Sequence, residues 1–156
     1  MSLENIYPKE TVSVVIFEGG RGVSSIEKDM QAVRHALLLD NIDKLRESKY
    51  IGDIYLLTNY QELFEEGKAL GANAIFNNIP PEEFSFGQEL QAIIAKNSLK
   101  HIFYLGGAGA PLLSSKDIDD ICYKLLSKKR AILTNNSQSA DLVAFTPASL
   151  LLQIPA

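Results

Sequence analysis

Val12-Ser13-Val14-Val15-Ile16-Phe17-Glu18-Gly19-Gly20-Arg21-Gly22 is the stretch on which the reading of this chain turns. Six residues rich in β-branched side chains, ended by a glycine-rich run, describe a strand buried on both faces of a parallel sheet. Such a strand belongs near the centre of the sheet. Working outward, apolar residues Met30, Val33, Leu37, Leu38, Ile42 and Leu45 recur at steps of three and four within Asp29 to Lys49, predicting one helical stripe against the sheet. Asp53 to Thr58 reads as a second strand, and Gln61 to Leu70 as a helix that Gly71 ends in a left-handed turn. Ala74 to Phe76 follows as a short strand. Asn77-Asn78-Ile79-Pro80-Pro81 must be a loop, because paired prolines neither donate to a ladder nor continue a helix. Leu90, Ile93 and Ile94 mark the inward face of the next helix.

The pattern then repeats. His101 to Leu105 predicts a strand that breaks into Gly106-Gly107-Ala108-Gly109-Ala110-Pro111. Ser114 caps the following helix with Asp117 completing the box, and Ile118, Ile121, Cys122, Leu125 and Leu126 share one face. Ala131 to Thr134 and Ala140 to Phe145 read as two more strands around a polar turn, Asn135 to Ser139. Strands alternating with helices predict the α/β class: a three-layer α/β/α domain with a mostly parallel sheet.

The chain has 156 residues, enough for one domain, residues 1–156, with no linker or repeat dividing it. Fifteen basic against nineteen acidic residues leave a net charge of −4, with no basic cluster beyond Lys128-Lys129-Arg130, so no nucleic-acid partner is expected. A single cysteine, Cys122, excludes an internal disulfide framework and a cysteine-based zinc site. The expected setting is cytoplasmic. No apolar run approaches the roughly 18 residues of a membrane span, and Met1-Ser2-Leu3 does not open a signal peptide.

Both glycine loops leave strand ends, where ligands bind in open parallel sheets. Glycine accepts positive φ and lets backbone N–H groups approach a phosphate, so a nucleotide cradle is one reading and a tight turn the other. Neither loop carries the Gly-Lys-Ser/Thr of a Walker loop, and Gly20-Arg21-Gly22-Val23-Ser24-Ser25 departs from Gly-x-Gly-x-x-Gly at its last position. Ile16-Phe17-Glu18-Gly19-Gly20-Arg21-Gly22, with Lys28 six residues on, instead resembles the opening signature of the MobA-like nucleotidyltransferases, whose fold is the Rossmann-like nucleotide-diphospho-sugar transferase type. The resemblance runs over roughly residues 12 to 145. It implies that Gly19, Gly20, Gly22, Gly106, Gly107 and Gly109 line a site for a nucleoside triphosphate or nucleotide-sugar, with Gly87 near the base and ribose. It implies catalytic roles for Lys28 and Arg21 at the phosphates, Mg2+ as cofactor, and transfer of a nucleotidyl group to a phosphorylated small molecule.

Three positions depart from that pattern. Val23 and Ser24 stand where Ser-Arg would be, Glu18 replaces a small residue, and the loop before Pro111-Leu112-Leu113 lacks the metal aspartate. Asp141 is the best-placed substitute for the metal, with Glu18 the alternative; Asn135 and Asn136 are turn formers or ligand contacts. His35 and His101, without a carboxylate or cysteine at ligand spacing, read as structural. The rival to the transferase reading is a non-catalytic binding or assembly module that kept the fold and lost the metal site. Relative to the resembled domains the chain is expected to be a fragment or a reduced version lacking the acceptor-binding half. Its uncharged tail needs to bury Leu150, Leu151 and Ile154 against this domain, a missing part or another copy, which would make a homo-oligomer.

Overall fold

The computed structural model describes residues 10–20, 24–138 and 141–156. In chain order its elements are β1 (Val12–Glu18), α1 (Ser25–Glu47), β2 (Ile51–Thr58), α2 (Gln61–Ala69), β3 (Asn73–Phe76), α3 (Phe86–Asn97), β4 (Ile102–Gly106), α4 (Ser115–Leu126), β5 (Ala131–Thr134) and β6 (Leu142–Thr146), then a 3-10 helix, Ala148–Gln153. The six strands form one sheet in the order β3-β2-β1-β4-β6-β5. The first four run parallel, while β6 lies antiparallel to both β4 and β5. The sheet is therefore mostly parallel, and β1 stands inside it between β2 and β4.

Alternation along the strands sorts the core into two faces, as the period of two requires. Val12, Val14 and Ile16 of β1 point with Leu56, Phe103 and Ala144 toward Leu38, Ile42 and Leu45 of α1, Leu63 of α2, and Ile118, Cys122 and Leu125 of α4. Val15, Tyr55 and Ile102 point the other way, onto Leu90, Ile93 and Ile94 of α3 and Ala148. Fully burying side chains such as Phe103, Ile16 and Leu56 stabilises the fold by about 1.5–3 kcal/mol each.

Helix ends follow local chemistry. Ser114 Oγ accepts from the Asp117 amide while Asp117 Oδ2 accepts from the Ser114 amide, a closed capping box, and Gly71 after α2 adopts φ 87°. A second box, Ser24 with Glu27, starts α1 at Ser25, four residues before the expected Asp29. Met30 and Val33, expected in the buried stripe, are instead exposed; the buried residues of α1 are His35, Leu38, Asn41, Ile42 and Leu45. The reason is length. A helix of 23 residues runs about 35 Å at 1.5 Å per residue, whereas the seven residues of β1 run about 23 Å, so the helix outreaches the strand it packs on.

At the C-terminus, Leu151 packs into the α3 face, and Gln91 Nε2 donates to the carbonyls of Leu151 and Ile154 at 2.8 and 2.7 Å. Leu152 and Ile154 remain exposed. His101 takes the structural role expected of it: the buried ring sits between Thr146 Oγ1 at 2.7 Å and Glu10 Oε2 at 2.9 Å, tying β4 to β6. No described helix is long and apolar enough to cross a membrane.

Candidate functional site

Strand order reverses at β1: β2 and β3 lie to one side, β4, β6 and β5 to the other. The carboxyl ends of β1, β2 and β4 therefore frame the position where an open α/β sheet offers a ligand crevice. Two clefts lie there. One, of about 190 Å³, runs from Phe17, Glu18, Gly19 and Gly20 past Leu57, Thr58 and Asn59 to Asn77, Ile79, Pro81 and Phe84. The other, of about 490 Å³, is walled by Glu18, Arg34, the run from Gly106 to Pro111, and Asp141. Phe17, Glu18 and Gly19 line both.

The glycine loops are held by side chains that follow or face the strand ends. Asn59, just past β2, clasps Gly20 from both sides: its Oδ1 accepts from the Gly20 amide at 3.2 Å and its Nδ2 donates to the Gly20 carbonyl at 2.9 Å. From α1, Asn41 Nδ2 donates to the Gly109 carbonyl at 3.1 Å, and Lys44 Nζ donates to the carbonyls of Pro111 and Leu113, both at 2.9 Å. The second loop is tied to the end of β1 through the Gly107 amide, which donates to the Phe17 carbonyl at 2.9 Å.

This bonding changes what the glycines do. The Gly20 amide is taken by Asn59, Gly106 by the Asp141 carbonyl at 2.8 Å, Gly107 by Phe17, and Gly109 by the Gly106 carbonyl at 2.6 Å. Four amides of the expected cradle thus donate inside the protein, and Gly20, Gly107 and Gly109 serve close approach. A Cβ on Gly109 would stand 2.8 Å from Gly106 O and 2.9 Å from Asp141 Cβ, and one on Gly20 would overlap Tyr60 Oη.

Glu18, the charge that ends an apolar strand, is 3% exposed, with Arg34 Nη2 of α1 at 2.6 Å from its Oε1. Neither carboxylate oxygen has an aligned hydrogen-bond donor, so the contact is an ion pair rather than a directed bond. Beside it the buried His35 ring packs edge-on to Tyr60, centroids 4.7 Å apart, with Nε2 lacking a partner. Burial holds the His35 imidazole below its ordinary value, against a smaller opposing pull from Glu18. Burial also pushes the Tyr104 phenol up to about 12, with Glu18 and Asp141 adding to the shift, so it is a neutral hydrogen-bonding group at physiological pH.

The depressed His35 makes a pH prediction. Its neutral form is favoured in the folded state, so stability is full above about pH 6.5 and declines as pH falls from there through the lower folded value. Denaturant melts at about pH 8 and pH 5.5 should show the loss in the native sequence, and His35→Gln should shrink it. Parallel pH profiles for the two proteins would exclude His35 as its source.

Of the residues expected at the site, Gly19 and Gly20 line the first cleft, and Gly106, Gly107, Gly109 and Asp141 the second. Arg21 and Gly22 lie outside the described residues. Lys28 is exposed in the first turn of α1. Gly87 lies in the first turn of α3, where the nearest atoms to an added Cβ belong to Ala156, and it is among the lining residues of neither cleft. Asn135 and Asn136 are occupied in the turn, Asn135 Oδ1 accepting from the Leu142 amide and Asn136 Oδ1 from the Gln138 amide. Sequence reasoning missed Arg34, Asn59 and Asn41. A buried glutamate in an apolar strand does signal a counter-charge, but not which of fifteen basic residues supplies it.

No protein-family model matches the chain, and neither does any curated protein sequence. Solved structures do match. CMP:2-keto-3-deoxy-manno-octonic acid synthetase complexed with CTP superposes with a TM-score of 0.64 at 10% identity, over 94% of this chain and 79% of that one. A cytidylyltransferase from Leptospira borgpetersenii serovar Hardjo-bovis gives 0.66 at 17% identity, over 92% and 63%. For 4-diphosphocytidyl-2C-methyl-D-erythritol synthase from Anaerococcus prevotii the values are 0.56 and 11%, over 90% and 71%. The fold is thus of the nucleotide-diphospho-sugar transferase type, and the chain spans between 63% and 79% of the length of these three proteins.

Proposed function

We propose that this chain is a nucleotidyltransferase-like protein that binds a nucleoside triphosphate or nucleotide-sugar, and that it transfers a nucleotidyl group to a phosphorylated small molecule. The observation that carries the reading is the pair of clefts joined at Phe17, Glu18 and Gly19, on a fold that one structural neighbour presents complexed with CTP. The first cleft has the make-up of a base pocket, with Phe17, Leu57, Ile79, Pro81 and Phe84 as apolar walls and, as polar contacts, the hydrogen-bonding capacity that Asn59 and Asn77 keep beyond their bonds to Gly20 and Ile79. The second, with Arg34 and Asp141, suits the phosphates. Lys28, at the start of α1, is the further cation proposed for the triphosphate. The assignment to the MobA-like group belongs to this proposal as well.

Mg2+ suits the donors present. Glu18 and Asp141 are hard oxygen ligands on the second cleft, and the ion commonly takes one or two carboxylates together with phosphate oxygens and water. Among the described residues no group of three or more His, Cys, Asp or Glu gathers to hold a metal by itself, so ligand phosphate would complete the shell. Bound there, the ion would supply charge neutralisation at the phosphate under attack. Asp141 would hold it, since Glu18 is already committed to Arg34.

The second reading, a binding or assembly module without catalysis, is favoured by the four engaged glycine amides, which leave fewer backbone donors for a triphosphate. Titration calorimetry with CTP, GTP, ATP and UTP, with and without magnesium, separates the two. Binding of at least one nucleotide strengthened by magnesium is the expected result. Metal-indifferent binding moves the assignment to the module, and an absence of binding to all four, and to UDP- and GDP-sugars titrated alongside them, overturns the nucleotide reading.

A further inference from the structure

Glu18 and Arg34 form a built feature that the architecture alone does not explain. Burying a carboxylate costs desolvation that a half-exposed partner repays only in part, so Glu18 closing an otherwise apolar strand calls for a reason other than stability. The second loop is shaped around it. A Cβ on Gly107 would overlap the Glu18 carboxylate and stand 3.6 Å from Arg34 Nη2. Arg34 itself is half exposed, and only Nη2 of its guanidinium is engaged, by Glu18. Guanidinium carries five N–H donors in a planar fork, so most of them have no protein partner among the described residues.

Two further facts point the free donors at a ligand. Four of the five glycine amides on the two clefts, those of Gly20, Gly106, Gly107 and Gly109, are occupied, so few glycine donors are left for an anion and a side chain takes the larger share of its recognition. Among the described residues lining the two clefts, Arg34 is the only cation, and Lys44 is turned to the carbonyls of Pro111 and Leu113. Asp141 also borders this cleft, but it is exposed and screened by water, whereas the charge of Glu18 is already balanced.

We propose that Arg34 is the anion-binding residue of the second cleft, held at its wall by Glu18 and taking phosphoryl oxygens of the ligand with the donors that Glu18 leaves free. That the phosphoryl group belongs to a nucleotide rests on the function proposed above; that Arg34 takes an anion does not. Planar guanidinium matches two phosphate oxygens at once, which a lysine at this place would not.

The test uses the full chain with three probes: cytidine, CTP and pyrophosphate. Arg34→Gln alone strands the buried Glu18 charge and can fail to fold, so the informative variant is the double Glu18→Gln, Arg34→Gln, which neutralises both partners, isosterically at the buried Glu18 and with a shorter side chain at the half-exposed Arg34. The native protein should bind CTP about tenfold or more tighter than cytidine, consistent with a charge-assisted pair, and bind pyrophosphate measurably. In the double variant the CTP advantage and the pyrophosphate binding should vanish, CTP and cytidine then binding alike. Retention of the CTP advantage in the double variant overturns the assignment of Arg34. Native protein that binds cytidine and CTP equally does so too, and leaves the nucleotide reading standing. Pyrophosphate binding lost in the double variant, with no nucleoside or nucleotide bound by native protein, keeps Arg34 and removes the nucleotide. Binding of none of the three removes both.

Discussion

Replacing Gly107 with alanine is expected to destabilise the fold by about 3 kcal/mol, a sizeable part of the roughly 5–15 kcal/mol that holds a domain together. Two effects add. Gly107 adopts φ 42°, a left-handed conformation that costs an L-residue about 1–2 kcal/mol. The new methyl would also overlap the Glu18 carboxylate, which is 3% exposed and cannot retreat into solvent, and overpacking of that kind costs about 1–3 kcal/mol. At about 2–4 °C per kcal/mol for a chain of this size, the melting temperature should fall by about 6–12 °C. Gly19→Ala is the control: there the closest atom to an added Cβ is the Asn59 side-chain oxygen at 3.3 Å, and the loss should stay under about 1 kcal/mol. A shift below about 2 °C for Gly107→Ala would mean that the second loop is not packed around Glu18 as described.

That the loop needs glycine was legible; what the glycine makes room for was not. β1 could be read because its apolar run admits only a strand buried on two faces, and α4 because Ser114 and Asp117 state its start in four residues. The start of α1 was also written, in Ser24-Ser25-Ile26-Glu27, but the apolar spacing of Met30 and Val33 drew attention to a stripe that continues past the sheet. The antiparallel pairing of β6 with β5 was not read from the sequence, although the stretch from Asn135 to Asp141 is too short for the dozen or more residues of a parallel crossover. The Glu18–Arg34 pair is different in kind. Its partners are sixteen residues apart, and they meet because the phase of α1 carries His35 and Leu38 inward and leaves Arg34 at the rim of the cleft. Helix phase against a sheet is a tertiary quantity, and residue spacing does not contain it.

Asp141 is where the proposed chemistry is most exposed to test. An amide would leave its contacts in place: the backbone carbonyl accepts from Gly106, and Cβ stands 2.9 Å from where a Cβ on Gly109 would be. Asp141→Asn should therefore melt within about 2 °C of the native protein while losing an anionic oxygen from the second cleft. If Asp141 holds the ion, magnesium-dependent nucleotidyl transfer should fall about a hundredfold or more, because two factors of ten correspond to about 2.7 kcal/mol and metal stabilisation of developing charge is worth several. Nucleotide binding measured without magnesium should change little, which separates loss of the ion from loss of the site. Unchanged turnover would clear Asp141 and leave Glu18 as the other oxygen donor on that cleft, at the expense of its pairing with Arg34. Native protein that turns over none of the four nucleotides would instead place the chain with the binding modules, its Glu18–Arg34 pair then serving recognition alone.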